Sequence, residues 1–247
     1  MGPVPAGSAA AAPPHGEEPL AQRYAALRGA LPPRARLLAV SKGQPAEAIR
    51  KLVALGQRSF AESRLQEAAA KQEALADLEP LDWHFIGRLQ ANKARAVVRR
   101  FSTIHSVDGL ALAQRLQRIA GEEQRCPAVL LQVKLRPDPG KTGFTPEALQ
   151  NCWPQLLVLA PLRLVGLMTI APQGLDAAGR SRLFEECAAL ARSLGLVELS
   201  MGMSSDWPEA AAAGATWLRI GSGLFGPRPD PSTNGMQDLA AADVGRY

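Results

Sequence analysis

The chain has 247 residues, 47% of them hydrophobic and 21% charged, with a net charge of +5. That is ordinary globular composition, long enough to bury a core. No apolar run is long enough to span a membrane, and scattered basic residues with only 5% aromatics argue against a nucleic-acid surface.

Residues 1–18 are rich in Ala, Pro and Gly. Pro3, Pro5, Pro13 and Pro14 interrupt any signal-peptide core, and Ala6 stands where N-myristoylation needs Ser or Thr. This stretch is read as a disordered leader. A helix follows over about 18–30 and is stopped by Pro32-Pro33. Apolar runs of strand length then recur at 37–41, 58–62, 83–87, 102–107, 128–135, 162–170, 197–202 and 216–221. The stretches between them have helical composition. One near 45–55 ends at Gly56, and one near 206–213 ends at Gly214. One near 146–159 opens with Thr145-Pro146-Glu147, an N-cap residue followed by proline at the first helical position and an acid in the first turn.

Strand and helix in strict alternation imply a parallel sheet. Eight repeats predict a single closed (β/α)₈ TIM-type barrel over residues 19–228, with an extra N-terminal helix. An open doubly wound sheet fits less well, because Ser41-Lys42-Gly43-Gln44 opens the first helix instead of a glycine fingerprint. No full-length helix is expected after the eighth strand, which leaves that outer slot to the N-terminal helix. Residues 229–247 read as a tail, and no second domain is expected. Cys126, Cys152 and Cys187 lie far apart with no zinc-ligand spacing. They read as free, core-filling thiols of a reducing compartment, and a cytoplasmic location is expected.

In such a barrel, functional groups collect at the carboxyl ends of the strands. Lys42 stands where the first apolar run stops. Burial there would lower its pKa and leave a nucleophilic amine suited to Schiff-base formation; the bland alternative is a lysine that snorkels into water. Closure sets strand eight beside strand one, so Lys42, Ser204, Arg219 and Ser222 become neighbours. Arg219-Ile220-Gly221-Ser222-Gly223, with Ser204, resembles a phosphate cradle. Glycines let the backbone approach an anion, and the helix opening at Ser205-Asp206 points its N-terminus there. His84 and His105 read as hydrogen-bonded interior histidines, and no metal site is expected. Met168 reads as core, and Lys134 and Lys141 as solvated.

The segments Ala39-Val40-Ser41-Lys42, Phe60-Ala61-Glu62-Ser63-Arg64, Trp83-His84-Phe85-Ile86-Gly87-Arg88-Leu89-Gln90-Ala91-Asn92-Lys93, Ile104-His105-Ser106-Val107-Asp108, Gly166-Leu167-Met168, Ser200-Met201-Gly202-Met203-Ser204 and Arg219-Ile220-Gly221-Ser222-Gly223-Leu224-Phe225-Gly226 occur in this order. Together they resemble the pyridoxal phosphate homeostasis protein family, also called the proline-synthase co-transcribed family. The resemblance implies a barrel like the N-terminal domain of alanine racemase and pyridoxal 5′-phosphate as cofactor. It implies Lys42 as the Schiff-base lysine, Arg219 facing the pyridine nitrogen, Met168 against the ring, and Ser204, Gly221 and Ser222 around the phosphate. Ser63 stands where the family has an asparagine near the cofactor, Arg88 where it has a histidine, and Ser205 where it has an aspartate.

The resemblance implies a protein that buffers or delivers pyridoxal 5′-phosphate, with apo-enzymes as recipients, and not a catalyst. A monomer is expected. The alternative is an amino-acid racemase. Two-base racemisation needs an acid–base group on each face of the substrate. Lys42 offers one, while the tyrosines are only Tyr24 and Tyr247. Arginine at the ring nitrogen is a pure donor, which leaves the ring a poor electron sink.

Overall fold

The computed structural model describes residues 19–138 and 140–227. The expected leader, 1–18, and tail, 229–247, lie outside the described residues. Eight parallel strands close into one barrel in sequence order. They are β1 (Arg36–Val40), β2 (Ser59–Glu62), β3 (Asp82–Phe85), β4 (Thr103–Val107), β5 (Ala128–Gln132), β6 (Arg163–Met168), β7 (Glu198–Ser200) and β8 (Trp217–Ile220). Each of the eight apolar runs overlaps one strand, with β1 and β3 starting one residue earlier than their runs. Around them lie α1 (Leu20–Ala30), α2 (Ala46–Ala54), α3 (Leu65–Ala74), α4 (Ala94–Arg100), α5 (Leu110–Glu122), α6 (Pro146–Leu157), α7 (Ala177–Ser193), α8 (Trp207–Ala212) and α9 (Ser222–Phe225).

The helix signals work as the local chemistry requires. Thr145 caps α6, its Oγ1 accepting the Ala148 N–H at 3.2 Å. Gly56 and Gly214 follow α2 and α8 at φ of +93° and +94°, a backbone region costly for residues with a Cβ. As expected, no full-length helix follows β8: α9 is a single turn, too short to show as periodicity. The outer slot is shared: α1 packs on α9, and the Arg23 guanidinium donates to the α9 carbonyls of Leu224 at 2.7 Å and Phe225 at 3.0 Å.

Strand alternation divides the apolar side chains into two sets. Leu37, Ala39 and Phe60 point outward and join the main core beneath the helices. Leu38, Val40, Ala61 and Trp217 point inward and form a separate small cluster inside the barrel. Closure is made by β8 and β1, with Leu38 opposite Arg219 and Ala39 opposite Ile220.

Gly166 marks a place where two strands leave no room for a side chain. A Cβ there would lie 1.9 Å from the Glu198 carbonyl oxygen. Gly166→Ala is therefore expected to destabilise the fold by about 3 kcal/mol through backbone displacement. Gly29, in α1, has nothing within 4 Å of a built Cβ. Gly29→Ala should add about 0.5–1 kcal/mol from helix propensity alone. Chemical denaturation of both variants checks the pair; equal midpoints would contradict the packing described for β6 and β7.

Candidate functional site

At the carboxyl ends of the strands lies a cavity of about 820 Å³. Its lining contains Lys42, Ser63, Met168, Ser204, Arg219, Gly221 and Ser222, all seven of the residues expected at a site from sequence. They come from the ends of β1, β2, β6, β7 and β8, so the fold alone brings them together. Ile86 and Ile170 add apolar wall, and Gln44 and Gln173 add amides. The lining carries no carboxylate, imidazole, phenol or thiol beside the Lys42 amine.

Lys42 departs from expectation. The strand ends at Val40, and Ser41 is buried, but Lys42 is exposed. It stands in the turn between β1 and α2, where its side chain reaches the open mouth of the barrel and not the packed interior. What holds it is the backbone on either side. The Lys71 ammonium, on α3, donates at 2.6 Å to each of the Ser41 carbonyl, Glu62 Oε1 and Glu67 Oε1. Ser41 Oγ donates to Glu62 Oε1 at 2.7 Å, and the Gly43 N–H donates to Glu67. Both neighbours of Lys42 are thus tied to one buried ion cluster. Burial pushes the Glu62 carboxyl up, against the pull of Lys71 and Ser41, while its Oε2 has no hydrogen-bond partner. For Glu67 burial works the same way, but Lys71 and the Gly43 N–H outweigh it and lower the carboxyl. Composition gave no hint of this cluster, because Glu67 and Lys71 read as an ordinary i,i+4 helix pair.

Arg219 departs from a surface arginine in the opposite sense. It is 4% exposed and, among the described residues, has no carboxylate within ion-pair distance. Its Nη1 donates to the Ser200 carbonyl at 2.6 Å and to Ser200 Oγ at 2.8 Å, and its Nη2 donates to the Thr169 carbonyl at 2.8 Å. Among the described residues, Nε–H and the second Nη2–H have no partner, and Arg219 lines the cavity. Burial lowers its pKa to about 10, with Asp206 opposing, so the guanidinium stays charged at neutral pH.

The cradle forms with one change. Gly221 caps α9, and its carbonyl accepts the Leu224 and Phe225 N–H groups at 2.9 Å. Ser204 Oγ accepts the Gly223 N–H at 3.0 Å, which stitches the loop after β7 to the loop after β8. The helix expected at Ser205-Asp206 begins at Trp207. Asp206 is buried, and its Oδ1 accepts the Met203 N–H at 2.6 Å, so a carboxylate sits at that helix start and does not favour an anion there. Lys134 and Lys141 are half-buried, not freely solvated. Lys141 pairs with Asp138 at 3.0 Å. Arg88 is not in the cavity lining, and Ser205, exposed, is. Among the described residues no group of acidic, His or Cys side chains could hold a metal, and no helix is long and apolar enough to cross a membrane.

Comparison with known proteins bears on this arrangement. The sequence profile described as alanine racemase, N-terminal domain, matches residues 17–229. The pyridoxal phosphate homeostasis protein of Synechocystis sp. PCC 6803 is 52% identical over 211 residues, which cover 83% of this chain and 97% of that one. The protein of the same name from Pseudomonas aeruginosa PAO1 is 47% identical over 196 residues, 78% of this chain and 84% of that one. The solved structure of PipY from Synechococcus elongatus PCC7942, with pyridoxal phosphate bound, superposes with a TM-score of 0.82 at 53% identity and covers 84% of this chain and all of that one. Fold and sequence together place the chain in the pyridoxal phosphate homeostasis protein family, built on the alanine racemase N-terminal domain.

Proposed function

We propose that the chain binds pyridoxal 5′-phosphate in this cavity, through a Schiff base on Lys42, and buffers or delivers it. The observation that carries the reading is the convergence on one cavity of an amine, a buried donor-only guanidinium and a glycine–serine turn at a helix start. These match the aldehyde, the ring nitrogen and the phosphate of that cofactor in kind. Gly221, Ser222 and Ser204 would hold the phosphate, Arg219 would donate to the ring nitrogen, and Met168 and Ser63 would meet the ring. The cofactor supplies an electrophilic aldehyde; the protein supplies position and charge.

The lining also supports a carrier in preference to a racemase. It offers the Lys42 amine and no second proton-transfer group, and a pure donor at the ring nitrogen disfavours carbanion chemistry. A closed barrel has no open sheet edge, which supports a monomer that hands the cofactor to apo-enzymes. Cys126, Cys152 and Cys187 are all free thiols, which supports a cytoplasmic setting.

Three outcomes are expected. Purified protein mixed with pyridoxal 5′-phosphate should show a visible absorbance band that borohydride removes, with the reduced adduct mapping to Lys42. Lys42→Ala should abolish the band while the thermal midpoint stays put, since the side chain is exposed; an adduct on Lys134 or Lys141 would refute the assignment. Pyridoxal without its phosphate should bind about 100-fold more weakly, because charge-assisted hydrogen bonds of ~1.5–3 kcal/mol each are lost. Equal affinity would count against the cradle. Chiral analysis of alanine and serine incubated with the loaded protein should show no inversion at ordinary enzymatic rates of ~1–10³ s⁻¹. Inversion at such rates, abolished in Lys42→Ala, would replace the carrier with a racemase.

A further inference from the structure

The inside of a (β/α)₈ barrel is ordinarily filled by branched apolar side chains. This one also holds a polar line beside its small apolar cluster. From the amino end of β3 to the cavity runs an unbroken line of polar side chains. Asp82 Oδ2 meets His84 Nε2 at 2.6 Å, His84 Nδ1 meets His105 Nε2 at 2.8 Å, and His105 Nδ1 meets Ser200 Oγ at 2.8 Å. Ser200 Oγ in turn accepts from Arg219 at 2.8 Å. His84, His105 and Ser200 are fully buried, whereas the Asp82 side chain is 40% exposed at the far mouth.

The protons in this line have one arrangement that satisfies every group. Asp82 accepts from His84, and also from Ser102 Oγ at 2.5 Å and Ser59 Oγ at 3.0 Å. Burial works to raise its carboxyl, but these donors outweigh it and hold it at about 2, so it is an acceptor only. His84 therefore carries a proton on Nε2. Burial above all, with the Arg219 charge adding to it, drives the His105 pKa well below its usual value, so that ring is neutral and has a single N–H. With that N–H on Nε2, donating to His84 Nδ1, His105 Nδ1 accepts the Ser200 hydroxyl. Ser200 Oγ is then free to accept from Arg219. Every donor points from the cavity toward Asp82, and aligned hydrogen bonds polarise one another. Among the described residues Arg219 has no carboxylate beside it: Asp206 faces it only at longer range and is engaged with Met203, and Cys187 is a buried thiol pushed up to about 12. At the far end, Arg36 stacks 3.8 Å over Trp217 and pairs with Glu198, so Asp82 is the anion in direct contact with the line.

We propose that Asp82, His84, His105 and Ser200 are positioning residues for Arg219, a relay through which a carboxylate at one mouth of the barrel fixes the donor state and charge that Arg219 presents at the other. The proposal deepens the cofactor reading and rests on it. A merely space-filling role for the two histidines would leave the site indifferent to Asp82.

The test uses the full chain with pyridoxal 5′-phosphate as the probe, and reads the pH midpoint of its visible band. Removing a negative charge disfavours a cationic chromophore, so Asp82→Asn is expected to lower the midpoint by about half a unit or more. Glu79→Gln removes an exposed carboxylate in the loop just before β3 and should leave the midpoint in place. In a Ser200→Ala background, Asp82→Asn should lose most of its effect, because the line is already cut. A shift of the same size in both backgrounds is a through-space effect and would overturn the relay; so would no shift in Asp82→Asn. Absence of the band in the unaltered protein would instead refute the cofactor reading. The relay is then decided by ¹⁵N NMR of the imidazoles: His105 protonated on Nε2 and changing tautomer population in Asp82→Asn supports it, and an unchanged tautomer overturns it.

Discussion

The pairing of β8 with β1 is the constraint on which everything else depends. It sets Leu38 beside Arg219 and Ala39 beside Ile220, and so brings the first and last chemistry-bearing segments to one rim. Val40 and Gly221 then come so close that a Cβ on Gly221 would lie 3.4 Å from the Val40 carbonyl oxygen. Without that closure Lys42 and the glycine–serine turn would stand at opposite edges of an open sheet. Only Arg219, Gly221 and Ser222 are close in sequence; the other site residues come from separate strand ends, which is why the site exists only as a property of the closed barrel.

Within that frame the protein buries charge in two different ways. Outside the strands, Lys71 is surrounded by acceptors and makes an ion cluster with Glu62 and Glu67. A buried pair of this kind contributes little net stability, because desolvation offsets most of the attraction. Its use here is geometric: it anchors Ser41 and Gly43 and leaves Lys42 between them with an unencumbered side chain. Inside the strands, Arg219 has neutral acceptors and, among the described residues, no adjacent counter-charge. Its guanidinium is held by carbonyl and hydroxyl dipoles, which orient it without neutralising it. The first arrangement fixes a backbone, and the second preserves a field.

Much of this was legible in the sequence, and the rest was hidden for identifiable reasons. Eight apolar runs gave eight strands because parallel strands are buried on both faces and read as continuous hydrophobic stretches. The site residues were legible because strand ends in a barrel share one face. The short α9 was not, since one turn has no periodicity to detect. Lys42 was expected to be desolvated because it follows an apolar run, yet the run's last buried residue is Ser41, and a single further residue carries the chain to the rim. His84 and His105 were read correctly as interior hydrogen-bonded side chains, but their partners lie on different strands, and register is not written in either segment alone. The ion cluster was invisible for the same reason: it joins β2, α3 and the turn after β1 through side chains whose spacing looks like surface patterning.

The clasp between Arg23 and the carbonyls of Leu224 and Phe225 spans 201 and 202 residues of sequence. It secures the single turn whose start frames the cradle. A chain leaving the ribosome presents α1 before all eight strands and α9 after them, so α1 must wait, its buried Tyr24 and Leu27 lacking their final neighbours, until the whole barrel has emerged. The long sequence separation makes this contact entropically late in any folding order. A chain that stops short of the eighth strand therefore cannot display the clasped turn, which becomes a record that synthesis has run past β8.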